Sequence, residues 1–136
     1  MDMLTNADIT IYNHKYNKST RFDEWHRTII RGVRFYVDNK VSAGEKGINS
    51  ADAYKIRIPE EAECDKSYIA ENEYVSAEDV AVKWTIQESD IVVLGICEMD
   101  IMKPSDLTEK SIRYCKIVSW SDNRFGGLPH WRIGGV

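Results

Sequence analysis

At 136 residues, 43% hydrophobic and 29% charged, the chain has the size and composition of one globular domain, long enough to bury roughly two-thirds of its unfolded surface without staples. Its apolar runs fall far short of the roughly 20 residues a spanning helix needs, and its balance is not that of a disordered chain. A net charge of −4 and a pI near 5.4 argue against a dedicated nucleic-acid binder, whose affinity rests on Lys and Arg neutralising phosphates.

The first stretch, Met1–Asn13, has no basic start, apolar core or small-residue cleavage site, so no secretory signal is expected. Three widely spaced cysteines (Cys64, Cys97, Cys115) with no C-x-x-C pair agree with a reducing compartment. Cys97 and Cys115 lie in apolar contexts and read as buried thiols that act as small hydrophobes. Asp8–Asn13 alternates apolar and polar residues as a half-buried strand does, and polar His14–Thr20 predicts the turn of a first hairpin. The return strand runs from Phe22 or Asp23 to Val37, with Trp25, Ile29, Val33, Phe35 and Val37 on one parity. Ile30 and Gly32 break that alternation, and a glycine inside a strand marks a bulge or the sharp bend a small barrel requires. Asp38–Ser50, with two glycines and few large apolar groups, predicts a long mobile loop.

Ala51–Ile58 alternates again with Tyr54, Ile56 and Ile58 inward, and Pro59 stops it. Glu60–Tyr74 carries Glu60, Glu61, Glu63, Asp65, Glu71 and Glu73 and predicts a second long loop of the kind that tends to be functional. Ser76 followed by Glu78 and Asp79 resembles a cap with an acidic first turn, which predicts a short helix over Ala77–Val82. Ile91–Cys97 is rich in β-branched residues and predicts a strand buried on both faces. Trp84–Ile86 would be its antiparallel partner across the turn Gln87–Asp90. Pro104–Lys110 predicts a second short helix with Ser105 as cap. Ile112–Trp120 reads as a strand, with Tyr114, Val118 and Trp120 on one parity and Cys115 and Ile117 on the other. Ser121–Pro129 is a turn cluster, and His130–Ile133 is the last strand. The sum is a single domain over 1–136, mainly β: a small antiparallel β-barrel or roll of six to seven strands, with one or two short helices and two long loops.

Chemistry is sparse in this pattern. His14, His26 and His130 have no ligand spacing, the acidic Pro59–Asp65 stretch lacks the pattern of a calcium loop, and no phosphate-binding loop, dinucleotide fingerprint or nucleophile elbow occurs. No catalytic residue, cofactor or metal is therefore expected. Two stretches stand out as surfaces. Arg21, Arg27, Arg31, Arg34 and Lys40 lie along the long second strand, with Arg27 and Arg31 on one parity. They either track a nucleic-acid backbone or sit on a solvated strand face and pair with the acidic loop. In Trp120–Trp131, Asp122-Asn123 and Gly126-Gly127 suit tight turns while Arg124 and Phe125 would project from the tip. That is either a structural turn or a contact site.

Over Ala7–Asn13, Trp25–Val33, Gly44–Pro59, Asp90–Cys97 and Ser119–Trp131, the chain resembles a family of small proteins in prophages of Gram-positive bacteria, encoded among virion structural genes between capsid and tail genes. Its layout is also similar to phage head-closure proteins, the stoppers or head-tail joining proteins: a first hairpin with a Trp-containing strand, a long loop, a strand ending I-x-I, the Asp90–Gly95 strand and a last hairpin. That resemblance implies a small β-barrel whose copies form a ring between portal or adaptor and tail, in contact with packaged DNA. Asp90–Gly95 would be its core strand and Asp38–Ser50 the loop facing the channel. The function so implied is that of a non-enzymatic virion structural protein, made in the bacterial host cytoplasm, with no membrane association and no small-molecule substrate. Its candidate interaction surface is Asp122, Asn123, Arg124, Phe125, Arg27 and Arg31. The alternatives are a tail-completion or minor capsid protein, or a nucleic-acid-binding barrel using the Arg21–Lys40 stripe.

Overall fold

Strands form where the sequence alternates, and they run further than the alternation alone suggests. The computed structural model describes residues 4–42 and 49–136. In chain order these hold β1 (Ala7–Asn17), β2 (Phe22–Ser42), β3 (Asn49–Pro59), β4 (Glu63–Cys64), β5 (Ser67–Tyr68), α1 (Glu71–Ser76), β6 (Lys83–Trp84), β7 (Ile91–Leu94), α2 (Ser105–Glu109), β8 (Tyr114–Asn123) and β9 (His130–Gly135). Six strands hydrogen-bond in the order β1-β7-β8-β9-β3-β2, and β2 pairs back onto β1 to close an antiparallel barrel. β4 is added to the outer edge of β2 at Ile30 and Arg31.

Closure depends on two strands that each serve two partners. β2 pairs with β1 as far as Val33 and with β3 from Arg34 onward. At the corner Ala7 faces Val33 and Asp8 faces Arg31, which leaves Gly32 as an extra residue. Its φ of +78° is open to glycine at no steric cost, and its N–H donates to Asp8 Oδ1 at 3.0 Å. The extra residue switches the inward parity: Thr28 and Ile30 are buried before it, Val33 and Phe35 after it. Of Trp25, Ile29, Val33, Phe35 and Val37, which share one parity, only Val33 and Phe35 are buried, and the break expected at Ile30 and Gly32 is where the inward side changes. β8 turns a second corner, pairing with β7 over Tyr114–Lys116 and with β9 from Ile117, with an irregularity at Val118.

The barrel interior is filled mainly by β-branched side chains, among them Ile9, Ile11, Ile30, Ile56, Val92 and Ile133. Each contributes roughly 1.5–3 kcal/mol relative to an exposed position. Ile91 and Val93 point the other way, into a second cluster with Tyr12, Ile101 and Leu107 of α2. β7 is therefore buried on both faces over Ile91–Val93, as its composition predicts, but the strand ends at Leu94 rather than Cys97, and Leu94 and Ile96 are exposed.

Several expected boundaries shift. β1 continues through His14 to Asn17, whose Oδ1 accepts the N–H groups of Ser19 and Thr20 in a tighter turn than His14–Thr20. Asp38–Ser50 is not one loop, because β2 and β3 pair as far as Ser42 and Asn49; residues 43–48 lie outside the described residues. β9 meets β3 only from Tyr54 to Pro59, so the outer part of β2 and β3 leaves the barrel as a two-stranded ribbon. Glu60–Tyr74 is organised as β4, β5 and the start of α1. The helix lies at Glu71–Ser76 rather than Ala77–Val82, since burying Tyr74 completely outweighs the cap signal at Ser76. Trp84–Ile86 does not pair with β7: Lys83–Trp84 forms a parallel pair with β5. The Asn13 side chain supplies the missing strand partner, donating to the Thr85 carbonyl at 2.8 Å and accepting the Thr85 N–H at 3.2 Å.

Candidate interaction surface

The β8–β9 hairpin gathers four of the expected contact residues and distributes them unequally. Phe125 is 93% exposed at the tip. Arg124 does not project beside it. Its guanidinium folds back onto the Asp122 carboxylate, donating from Nε at 2.8 Å and from Nη2 at 2.7 Å. It also lies 5.1 Å from the Tyr68 ring centre and 5.0 Å from that of Trp131. These hydrogen bonds hold the Asp122 carboxyl below its ordinary range. Tyr68, Trp84 and Trp131 pack on one another beneath, with centroids 4.8–5.2 Å apart. Asn123 donates to Ser121 Oγ at 3.1 Å, inside the hairpin. The turn is thus a rigid mount of arginine on aromatics, with one large apolar group on its outside.

Arg27 and Arg31 lie elsewhere, on the part of β2 that faces β1 and β4. Arg27 donates to the Glu98 carbonyl and to Asp100 Oδ1, which ties the segment after β7 to β2. Arg31 is exposed, and its backbone neighbours across the sheet are Asp8 and Glu63. Arg21 sits in the first turn at φ +64°, and the Lys40 side chain lies outside the described residues. The Arg21–Lys40 set therefore does not make a continuous row, because Arg27 is spent on an internal tether.

Asp90, which the sequence analysis gives a place in the turn and core strand but no chemistry, is a buried and strongly perturbed carboxyl. It is 2% exposed, and its Oδ2 accepts from Asn13 Nδ2 at 2.9 Å and Gln87 Nε2 at 2.8 Å, while its Oδ1 accepts the His14 N–H at 3.1 Å. Burial pushes it up to about 6 despite these donors. A perturbed carboxyl beside a histidine is a common mark of an active site. Here, however, both oxygens point at donors that fix β1 against the turn before β7, and the His14 ring is turned away to Asp23, with Nε2 2.8 Å from Oδ1. The arrangement is a structural knot.

A basic row that sequence reasoning missed lies on the outer face of β2, β3 and β9. Arg34 is directly opposite Arg57, and Arg57 directly opposite Arg132. Arg34 and Arg132 are exposed and Arg57 half-buried; among the described residues none of them forms an ion pair. Arg34 lies 5.5 Å from the centre of the Tyr36 ring, and Lys55 is opposite both Tyr36 and Gly134 in the next outward row. Outward alternation of Arg57 and Arg132 is visible in Y-K-I-R-I and W-R-I-G, but only the pairing of β3 with β9 and the bulge at Gly32 align them with Arg34.

Among the described residues no three His, Cys, Asp or Glu side chains converge as a metal site, and no helix is long and apolar enough to cross a membrane. Comparison with curated proteins and with solved structures returns no match. A family model covers the barrel from end to end: residues 4–136 fit the family of unknown function DUF6751, and the chain belongs to that family.

Proposed function

We propose that this protein is a non-enzymatic structural component of a phage or prophage virion at the head-tail junction, of the head-closure or connector type, assembling as a ring between portal or adaptor and tail. The reading starts from the resemblance over Ala7–Asn13, Trp25–Val33, Gly44–Pro59, Asp90–Cys97 and Ser119–Trp131. The observation that supports it best is the β8–β9 tip, where Phe125 stands 93% exposed on a base of Arg124, Tyr68 and Trp131. Arg124, held by Asp122 and stacked over Tyr68 and Trp131, fixes the chain next to Phe125 and presents the exposed ring as an apolar anchor, the composition of a docking hot spot. The β2–β3 ribbon that leaves the barrel is the element that would face the channel and its packaged DNA. The protein would be made in the host cytoplasm and reside in the virion.

A nucleic-acid-binding barrel built on Arg21–Lys40 is the weaker reading, since Arg27 is bound to Asp100 and the Glu98 carbonyl. A tail-completion or minor capsid position differs from the connector in location and copy number. The test is induction of a parent prophage, gradient purification of particles and quantitative proteomics calibrated against the portal protein. Presence at a small multiple of the portal ring supports the connector, and absence from finished particles overturns it.

A further inference from the structure

The chain segregates its charge. Residues 60–79 hold eight carboxylates against one lysine, a net of −7, which leaves +3 for the remainder of a chain whose total is −4. Glu60, Glu61, Glu63, Asp65, Glu71, Glu73, Glu78 and Asp79 are all exposed, and among the described residues none of them forms an ion pair. Arg34, Arg57 and Arg132 are the opposite case, three like charges placed directly across neighbouring strands. Like charges so placed repel, and an anionic partner would relieve that repulsion. Both surfaces are held by backbone pairing: the arginines by β2, β3 and β9, and Glu63 by β4 on the edge of β2.

We propose that the Arg34–Arg57–Arg132 face docks on the acidic segment 60–79 of a second copy of this chain, head to tail; the proposal rests on the ring reading above. Three points favour a second copy over another anion. The complementary surface is present in the same sequence, so every copy brings both halves of the contact. Arginine forks pair bidentately with carboxylates, and the segment offers several close together: Glu60 and Glu61 in the turn after β3, Glu63 on β4 and Asp65 in the bend that follows it. Nucleic acid, by contrast, would meet an acidic segment of −7 on the same small barrel. The two surfaces lie on different strands, with β4 on the β1-facing half of β2 and the arginines on the β3-facing half. A two-fold contact through either surface would set like charge against like charge. Passed from the face of one copy to the segment of the next, rather than exchanged within a pair, the contact is heterologous, and repeated with closure it generates a ring.

The test is sedimentation velocity of the full chain at low and high salt. Two variants are compared, Arg34→Glu/Arg57→Glu/Arg132→Glu and Glu61→Lys/Glu63→Lys/Asp65→Lys, with Arg34→Glu/Arg132→Glu as a milder face variant should half-buried Arg57 prove necessary for folding. Circular dichroism checks that each is folded. The wild type is expected to self-associate at low salt and dissociate as salt rises. Each variant alone should associate at least roughly tenfold more weakly, and an equimolar mixture of face and segment variants should recover association, because reversed face then meets reversed segment. A wild type that stays monomeric, variants that associate like it, or a mixture that does not recover would overturn the proposal. So would binding of a thymidine oligonucleotide that is lost in the face variant while self-association is unchanged. The particle proteomics reads separately: a protein present in particles whose face variant associates normally loses this contact and keeps the connector role, whereas one absent from particles but showing charge-swap recovery keeps the contact and loses the connector role.

Discussion

Asp90→Asn should change the shape of the stability–pH curve as well as its height. In the fold the Asp90 carboxyl titrates near 6 instead of 3.8 because burial disfavours its charged form. A raised folded-state value stabilises fully below the unfolded value, and that stabilisation is lost as pH climbs through the folded one. The shift of about two units, at about 1.4 kcal/mol each, corresponds to about 3 kcal/mol removed between roughly pH 3.5 and 6.5. The asparagine variant carries no such titration. It brings a penalty of its own, since three donors converge on the two Asp90 oxygens and an amide offers an oxygen to only one side. One unmatched buried donor costs about 1–3 kcal/mol. The variant should therefore be less stable than wild type near pH 4, and because wild type loses about 2–3 kcal/mol on the way to pH 7 the gap should close or reverse, since all other groups titrate in both proteins. Urea unfolding at a series of pH values measures this directly, with constant m-values as the check on two-state behaviour. A gap constant across the range would refute the argument that burial governs Asp90.

Gly32→Ala has room for its Cβ but must hold φ +78°, so it should lose about 1–2 kcal/mol by denaturant unfolding. Gly135→Ala should lose about 1–3 kcal/mol because its Cβ would fall 2.8 Å from Cys115 Sγ, and Cys115→Ala in the same chain should return part of it in a double-mutant cycle. Tyr12→Phe removes a fully buried hydroxyl that donates to the Met99 carbonyl, and should lower the unfolding midpoint by the equivalent of about 1–2 kcal/mol. Phe125→Ala should change stability by less than about 0.5 kcal/mol, measured by the same unfolding curves, and under the connector role proposed above it should reduce incorporation into particles.

Barrel class, the long strands and the doubly buried β7 were legible because period-two alternation and β-branched runs are local signals. The bend at Gly32 was legible for the same reason, as a glycine interrupting a pattern. The partners of Trp84 and Thr85 were not: Trp84 pairs in parallel with Tyr68, and Thr85 exchanges hydrogen bonds with an Asn13 side chain distant in sequence, which no strand periodicity encodes. Nor was α1, whose position is set by burial of Tyr74 against a cap signal that pointed to a start six residues later. Among the surface residues, the exposed Phe125 followed from turn chemistry. The inward fold of Arg124 required knowing that Tyr68 and Trp131 lie under the hairpin, and the Arg34–Arg57–Arg132 row required the register of three strands from opposite ends of the chain.

Closing the barrel on β1 has a kinetic consequence. The β1–β2 hairpin is local and can form within microseconds, but β1 also needs β7, and Thr10 meets Gly95 across 85 residues of chain. Bringing such ends together costs about 4 kcal/mol of chain entropy before any of the shared core is buried. Folding should accordingly fall in the millisecond-to-second regime of β-barrels. During synthesis, the apolar face of the first hairpin stays unsealed until the strand beginning at Ile91 has left the ribosome, and that interval is when an unpaired β1 edge is open to a neighbouring chain.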